Sequence, residues 1–565
     1  MMKTKKFTGV LLSATMLIGL LAACSGGNNE PSPGSSTGGE NGDGQAPLTM
    51  SFFSADPSPN WAGMQDRIGK ILTEKTGVVL DAEYAVGDPV QKVALIAASG
   101  EYPDLISAKQ DVAKLVDVGA MMDLTDLIEE HAPNIKALFG DYMKRLRYSE
   151  DDHAIYVIPT YAAVDSQNFS AGGGFGLQHR VVKELGFPEI RTVEDFENAI
   201  RSYLEKHPTD EAGNKNIGLT LNSDDWRMYI SVTNPAFFTT GGSDDGEFYI
   251  DHETMEVTYH FRRPEEKEYF RWLNHMNATG LLDPETFVQK HDQYNAKIAS
   301  GRVLGLIDQD WNYGDGENAL KAEGKFDQTY GHYPVTMSEE YLETSFWPTG
   351  FMSGSGVGIS VDNPDPVRAI KFLDYLASEE GQILLNWGVE GEHYNVVDGK
   401  RVIPADVNNR KVNDVANFQR ETGIGLYTNI GAHYGDGVLD STGNYYTTSF
   451  PEQLIEGYNE AEKEVLEAYG ATLWKDLFPS EDNFPIKPWG AAWNIPIPGD
   501  HEVSVLDTRL RDITWKRIPE AILAKPEEFD AIWDAYMEEL EKNGVERAEK
   551  GRQEFVEARV ALWND

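Results

Sequence analysis

Cysteine is almost absent from this chain: Cys24 is the only one in 565 residues. A single thiol excludes an intramolecular disulfide, so whatever folds here is held by packing. Basic residues are scarce as well, 49 against 92 acidic ones, for a formal net charge of −43. That balance argues against nucleic acid as a partner. It also disfavours a polyanionic ligand at long range, although a local arginine cluster in a cleft could overrule the global field. Beyond Leu21 no stretch is long and apolar enough to span a bilayer. Phosphate cradles are missing too. Gly172-Gly173-Gly174 precedes neither a GKS sequence nor a GxGxxG helix and reads as a flexible loop, and there is no Walker sequence and no internal repeat.

What the chain does have begins at its N-terminus. Lys3, Lys5 and Lys6 precede an apolar run from Val10 to Leu21, and small residues lead into Cys24. This is the pattern of a lipoprotein signal over residues 1–23. Cleavage would free a thiol for a diacylglyceryl group, and two or more acyl chains, palmitate among them, anchor stably at ~0.8 kcal/mol per buried CH2. Residues 24–47, rich in Gly, Ser, Asn and Pro, cannot bury a core and read as a flexible tether. The expected location is the extracellular face of a cell membrane.

From Leu48 onward the pattern is that of a folded protein too long for one hydrophobic core, so two or more lobes are expected. Strand-like and helical segments alternate: 48–54, a helix over 64–75, 78–85, a helix over 90–98, then 104–109, which predicts a parallel sheet flanked by helices. A second α/β region follows from about Gly176, with helices over 180–185, 193–206 and 264–279. Val303–Asp308 and Val357–Ser360 read as buried strands, and 365–376 as an amphipathic helix. The tail from about Gln453 reads as helical, a cap on the second lobe and not a coiled coil.

Twelve tryptophans are unusual wealth, and several stand among Gly, Pro, Asn and Asp: Trp61, Trp226, Trp311, Trp347, Trp489 and Trp493. A loop indole beside hydrogen-bonding side chains suits a pyranose, which offers an apolar C–H face and a rim of hydroxyls. Trp272 and Trp387 sit in helical, apolar contexts and read as core. Arg262 and Arg263 either face a cleft, where they would suit a uronate, or are solvated beside Glu265 and Glu266.

Four stretches then become familiar together: Ala97 to Leu105 (AASGEYPDL), Asp123 to Asn134 (DLTDLIEEHAPN), Tyr269 to Asn274 (YFRWLN) with Gly280 to Glu285 (GLLDPE), and Arg368 to Gln382 (RAIKFLDYLASEEGQ) with Gly388 to Tyr394 (GVEGEHY). In this order the chain resembles the family 1 extracellular solute-binding proteins, receptors of bacterial ABC importers for sugars and oligosaccharides. The resemblance implies an α/β, two-lobed periplasmic-binding-protein-like fold of type II with three hinge crossings and a helical C-terminal extension. It implies a monomer that captures an oligosaccharide by closing around it and docks on permease subunits, with no catalysis and no required cofactor. The crossings are expected near 156–160, 304–310 and 356–360. Lobe 1 would then comprise 48–157 and 308–356, and lobe 2 158–307 and 357–565. Trp311, directly after the second crossing, is the leading ligand-stacking residue, followed by Trp61, Trp226, and His393 with Tyr394. Large relatives carry a calcium loop, and its place here is Asp210, Asn214 and Asn216, with Ala212 where an oxygen donor should stand.

Two rivals stay open. A surface glycoside hydrolase or lyase would need paired carboxyls across a cleft, but Glu129-Glu130, Asp224-Asp225 and Glu379-Glu380 are sequence neighbours that do not face each other. A sugar-sensing receptor for a sensor kinase would carry the same site without a transporter.

Overall fold

The computed structural model describes residues 46–160 and 163–564. The expected signal peptide, Cys24 and the tether as far as residue 45 lie outside the described residues. The chain opens with β1 (Leu48–Ser54), β2 (Val78–Tyr84), β3 (Leu105–Ser107) and β4 (Ile158–Pro159). Strand β1 pairs in parallel with β2, from Leu48↔Val78 to Ser54↔Tyr84, and with β3 at Phe52↔Leu105. Successive side chains of a strand point to opposite faces, and here both faces are covered. Met50 and Phe52 join one apolar cluster with Ile68, Leu72 and Leu373, while Phe53 joins another with Val93, Ile106 and Leu115. Each buried Phe contributes on the order of 2 kcal/mol.

Parallel strands need helical connections, and the sequence marks their ends. Asp66 accepts from the Gly69 amide (2.7 Å) and starts the helix Arg67–Thr76, which Gly77 closes at φ 69°. Asp88 caps Pro89–Ser99 in the same way, and Gly100 ends it at φ 70°.

The second sheet consists of β5 (Gly173–Gln178), β6 (Ile217–Thr220), β7 (Val303–Gln309) and β8 (Tyr330–Tyr333), in the order β8-β5-β7-β6. Of the glycines at 172–174, expected to form a loop, Gly173 and Gly174 instead begin β5. Its antiparallel pairing with β7 brings a glycine against large side chains: a Cβ on Gly176 would lie 2.9 Å from Leu306. The last strand, β9 (Gly356–Ile359), returns to the first sheet, antiparallel to both β3 and β4.

The topology redraws the lobes. Residues 308–356, expected in lobe 1, contain the end of β7, the helix Asp310–Ala322 and β8, all on the second sheet. Residues 357–457, expected in lobe 2, build on the first: in the helix Pro366–Ala377, Asp374 accepts from the Ile135 amide (2.9 Å) and from Asn134 Nδ2 (2.7 Å). The sheet changes fall at 160–173, 333–356 and 457–460. The segment 304–310 is not a crossing but belongs almost wholly to an interior strand of the second sheet, β7, flanked by β5 and β6. His433–Tyr434 pairs in parallel with Ala163–Val164, so a later segment returns to lie beside the first crossing.

The tail does cap the second lobe. Helices Glu502–Leu523, Phe529–Lys542 and Val545–Asn564 share a core with Phe175, Trp272 and Leu304. Tyr259, Thr514 and Tyr536 join their hydroxyls in a buried chain at 2.8 and 2.7 Å. Between 470 and 501 the expected helix is replaced by irregular chain with three short 3-10 turns. Among the described residues no helix is long and apolar enough to cross a membrane.

Candidate functional site

In open α/β sheets ligands bind beyond the carboxyl ends of the strands, and here those ends from both lobes meet. The loop after β1 carries Asp56, the turn after β3 carries Lys109, and the helix after β7 begins with Asp310 and Trp311. Trp226 comes from the segment after β6. Its ring stacks against Trp311 with centroids 5.9 Å apart and planes at 18°. Trp311 is 60% exposed, an indole held in place yet open on one side.

Polar groups fix this pair from behind. Asp308, at the end of β7 and 1% exposed, accepts from both the Gln309 amide (2.8 Å) and Asn312 Nδ2 (2.9 Å). Asn312 Oδ1 accepts from Arg227 Nε (3.0 Å), and Arg227 Nη1 reaches both oxygens of Asp225 at 3.0 Å. The guanidinium lies 4.7 Å from the Trp226 ring centroid. Burial pushes the Asp308 carboxyl up to about 6 and raises Asp225 as well, against the opposing pull of Arg227. From the first lobe, Lys109 Nζ is paired with Asp56 at 2.6 Å and sits 5.6 Å from the Trp226 ring. Lys109 and Asp225 both hold left-handed backbone, φ 53° and 51°. Such conformations cost of order 1–3 kcal/mol, persist where surrounding structure over-determines them, and cluster at ligand clamps.

Of the eight aromatic and imidazole candidates, Trp226 and Trp311 are brought together. Trp61 stands in the loop after β1, edge-on to Tyr84 (5.7 Å) and Tyr427 (5.3 Å); the Tyr427 hydroxyl donates to Asp66 (2.6 Å). The others are engaged elsewhere. Trp347 stacks on Phe484 and donates its indole N–H to the Pro485 carbonyl (2.7 Å). Trp489 is completely buried and donates to Asp245 (2.8 Å), so no ligand can reach it. Trp493 packs against Gly246. His393 is buried with Nδ1 accepting from the Val389 amide (3.0 Å), and Tyr394 is buried edge-on to Trp387. Loop-like composition marked these indoles, but a loop folded against the core buries its aromatics like any other segment.

Arg262 pairs with Glu549 and Arg263 with Glu265 and Glu266, so both guanidiniums are already engaged by carboxylates. At 210–216 the Asp210 carboxylate is taken up by the loop itself, accepting from the Asn214 amide (2.8 Å) and from Asn214 Nδ2 (3.0 Å), and Asn216 donates to the His207 carbonyl (2.8 Å). The adjacent acids part company. Asp224 turns to Lys290 and Asp225 to Arg227; Glu379 binds Ser441 and Glu380 binds Lys75. Asp56, Lys109, Asp308 and Asn312 carried no signal that set them apart in sequence. Only the turn Asp224-Asp225-Trp226-Arg227 placed a cation beside a candidate indole.

The comparisons agree with this architecture. Residues 68–386 match the family model described as bacterial extracellular solute-binding protein. Lipoprotein LipO of Bacillus subtilis (strain 168) is 22% identical over 412 residues, 70% of this chain and 74% of that protein. The alginate-binding protein AlgQ2, solved without calcium ion, superposes with a TM-score of 0.62 at 18% identity, covering 91% of this chain and 98% of its own. FusA, the ABC-transporter substrate binding protein of S. pneumoniae solved with kestose, gives 0.61 at 18%, covering 90% and 99%. At such identities the superpositions establish the two-lobed fold. The family match spans more than half of the chain, and the chain belongs to the bacterial extracellular solute-binding proteins.

Proposed function

We infer that this protein is the carbohydrate-capturing subunit of an ABC importer, held to the outer face of the membrane by lipid on Cys24, and that its ligand is an oligosaccharide. The observation that carries this reading is the Trp226–Trp311 stack beyond the strand ends, with Trp311 60% exposed and the Asp225–Arg227 ion pair beside it. A sugar ring laid on Trp311 would stack its C–H face and direct hydroxyls toward those groups. AlgQ2 and FusA, of the same fold, are named for alginate and solved with kestose, and LipO is named a lipoprotein, which supports both parts of the reading. Capture needs only that ligand contacts favour the closed form over the open one. No acid–base pair is called for, and the protein is read as a binder and not a hydrolase.

The test is a thermal-shift screen of residues 25–565 against neutral and uronic oligosaccharides, with reducing-end analysis of every mixture. A ligand raises the melting temperature in step with its excess over Kd, and the sugar is recovered intact. Cleaved sugar, or no shift with any carbohydrate, refutes the proposal.

A further inference from the structure

In a chain with 92 carboxylates and 49 basic residues, an arginine without an acidic partner is unexpected. Where the two lobes and the C-terminal helix meet there are three. Arg559 is 7% exposed, donates to the carbonyls of Asn494 (3.0 Å) and Ala491 (3.4 Å), and lies 5.2 Å from the Trp563 ring. Arg145 lies over the same indole at 4.9 Å. Arg147 lines a cavity beside them. Among the described residues no carboxylate pairs with Arg145, Arg147 or Arg559. A guanidinium has five N–H donors, and the protein gives Arg559 two acceptors, both carbonyls. Burial alone pulls its pKa down to about 9, with no neighbouring carboxylate to hold it up.

The cavity itself measures about 20 Å3 and is lined by Arg147, Tyr148, Tyr156, Ser353, Gly354 and Arg559, among others. Donors are in surplus around it. The Tyr148 hydroxyl, in the cavity wall, is buried without a hydrogen-bond partner; so, outside the wall, is Nδ2 of Asn494, the residue whose carbonyl Arg559 holds. Its own Oδ1 is already occupied by Ser355. Burial raises the Tyr148 hydroxyl, with Asp117 and Asp152 adding to the effect; Asp117 accepts from the Gly499 amide, Asp152 from the Tyr156 hydroxyl, and neither lines the cavity. A buried cation with spare donors and no counter-charge is expensive. A water would bring acceptors but no charge. The volume admits one small particle.

We propose that this cavity binds one monovalent anion of chloride size, held by Arg559 with Arg147 and the Tyr148 hydroxyl, which fastens the C-terminal helix to the segment Ser353–Gly354 that joins the lobes. The site is separate from the tryptophan pair, and the proposal stands whatever the transported ligand.

The test is thermal unfolding of the soluble chain at fixed pH and fixed ionic strength, with sodium gluconate progressively replaced by sodium chloride or bromide. Gluconate screens the acidic surface equally but cannot enter. Once chloride exceeds its Kd, the folded-to-unfolded ratio should rise about tenfold for each tenfold increase in chloride, and Arg559→Met should abolish that response. The proposal is overturned if gluconate and chloride stabilise equally, or if R559M keeps the halide response. Should R559M not fold, chloride NMR on the unaltered protein decides. Excess line broadening that bromide displaces supports the site, and its absence refutes it.

Discussion

Replacing Trp311 by alanine should separate binding from folding. An indole buries roughly 150–250 Å2 when fully covered, and with 60% of this residue exposed, about 100 Å2 is open to a ligand. A sugar covering one face, about half of that, loses a similar area of its own. Together these bury ~100 Å2, which at ~25 cal/mol per Å2 is worth about 2.5 kcal/mol, or about 60-fold in Kd. Folding should change little, because Trp311 contributes one stacked contact with Trp226 and no side-chain hydrogen bond is seen for it among the described residues. The assay is isothermal titration of wild type and W311A with the best oligosaccharide from the screen, alongside a thermal melt of each. A Kd within threefold of wild type would refute the placement of the site, and a large fall in melting temperature would mean that the indole is structural after all.

Three further outcomes follow from buried groups. Trp489→Phe removes the indole donor to Asp245, which is itself buried and also binds Lys487 (3.1 Å). It should cost about 1–3 kcal/mol in urea unfolding while leaving the Kd of folded protein unchanged. Asp374→Ala strands the buried Ile135 amide and the half-buried Asn134 Nδ2 and should cost about 1–3 kcal/mol by the same measurement, chiefly for the buried donor left unpaired. Burial pushes the Glu343 carboxyl up to about 8, with Ser345 donating to its only engaged oxygen. The native state therefore binds the proton more tightly than the unfolded chain, so stability is full at acid pH and declines as pH rises from about 4.5 toward 8. Glu343→Gln should flatten that decline and melt above wild type beyond pH ~8. A wild-type curve without this slope would disprove the assignment.

Much of the fold was legible because local chemistry and tertiary structure agree over most of the chain. Asp66 with Gly77, and Asp88 with Gly100, punctuate helices that the sequence placed to within a few residues, and the helix Val193–Lys206 has the expected bounds, started by a Thr192 and Asp195 capping box. The lobe assignment failed for a different reason. Val303–Ile307 is apolar because it is enclosed between two strands, and a run of that kind looks the same whether it is a central strand or a segment passing between sheets. Which sheet a strand joins is decided by partners more than a hundred residues away, Leu177 for Gly305 and Ile106 for Gly358.

The site shows the same division between local and distant information. Trp226 and Trp311 could be singled out because each stands among turn-forming and polar residues, yet so do Trp347 and Trp489, and those are spent on Pro485 and Asp245. What separates the two groups is not the neighbours in sequence but the support behind each ring. Asp308, Asn312, Arg227 and Asp225 form a connected polar chain that holds the Trp226–Trp311 pair without covering it. A core tryptophan is fixed by burial, whereas a ligand platform must be fixed while still exposed, and hydrogen bonds behind the ring are how that is achieved. Arg227 couples the platform to β7 through Asn312, and Lys109 brings the first lobe against the same ring. The pair is thus held by groups of the second sheet and touched on the Trp226 side by one from the first, and a ligand that engaged both would favour closure.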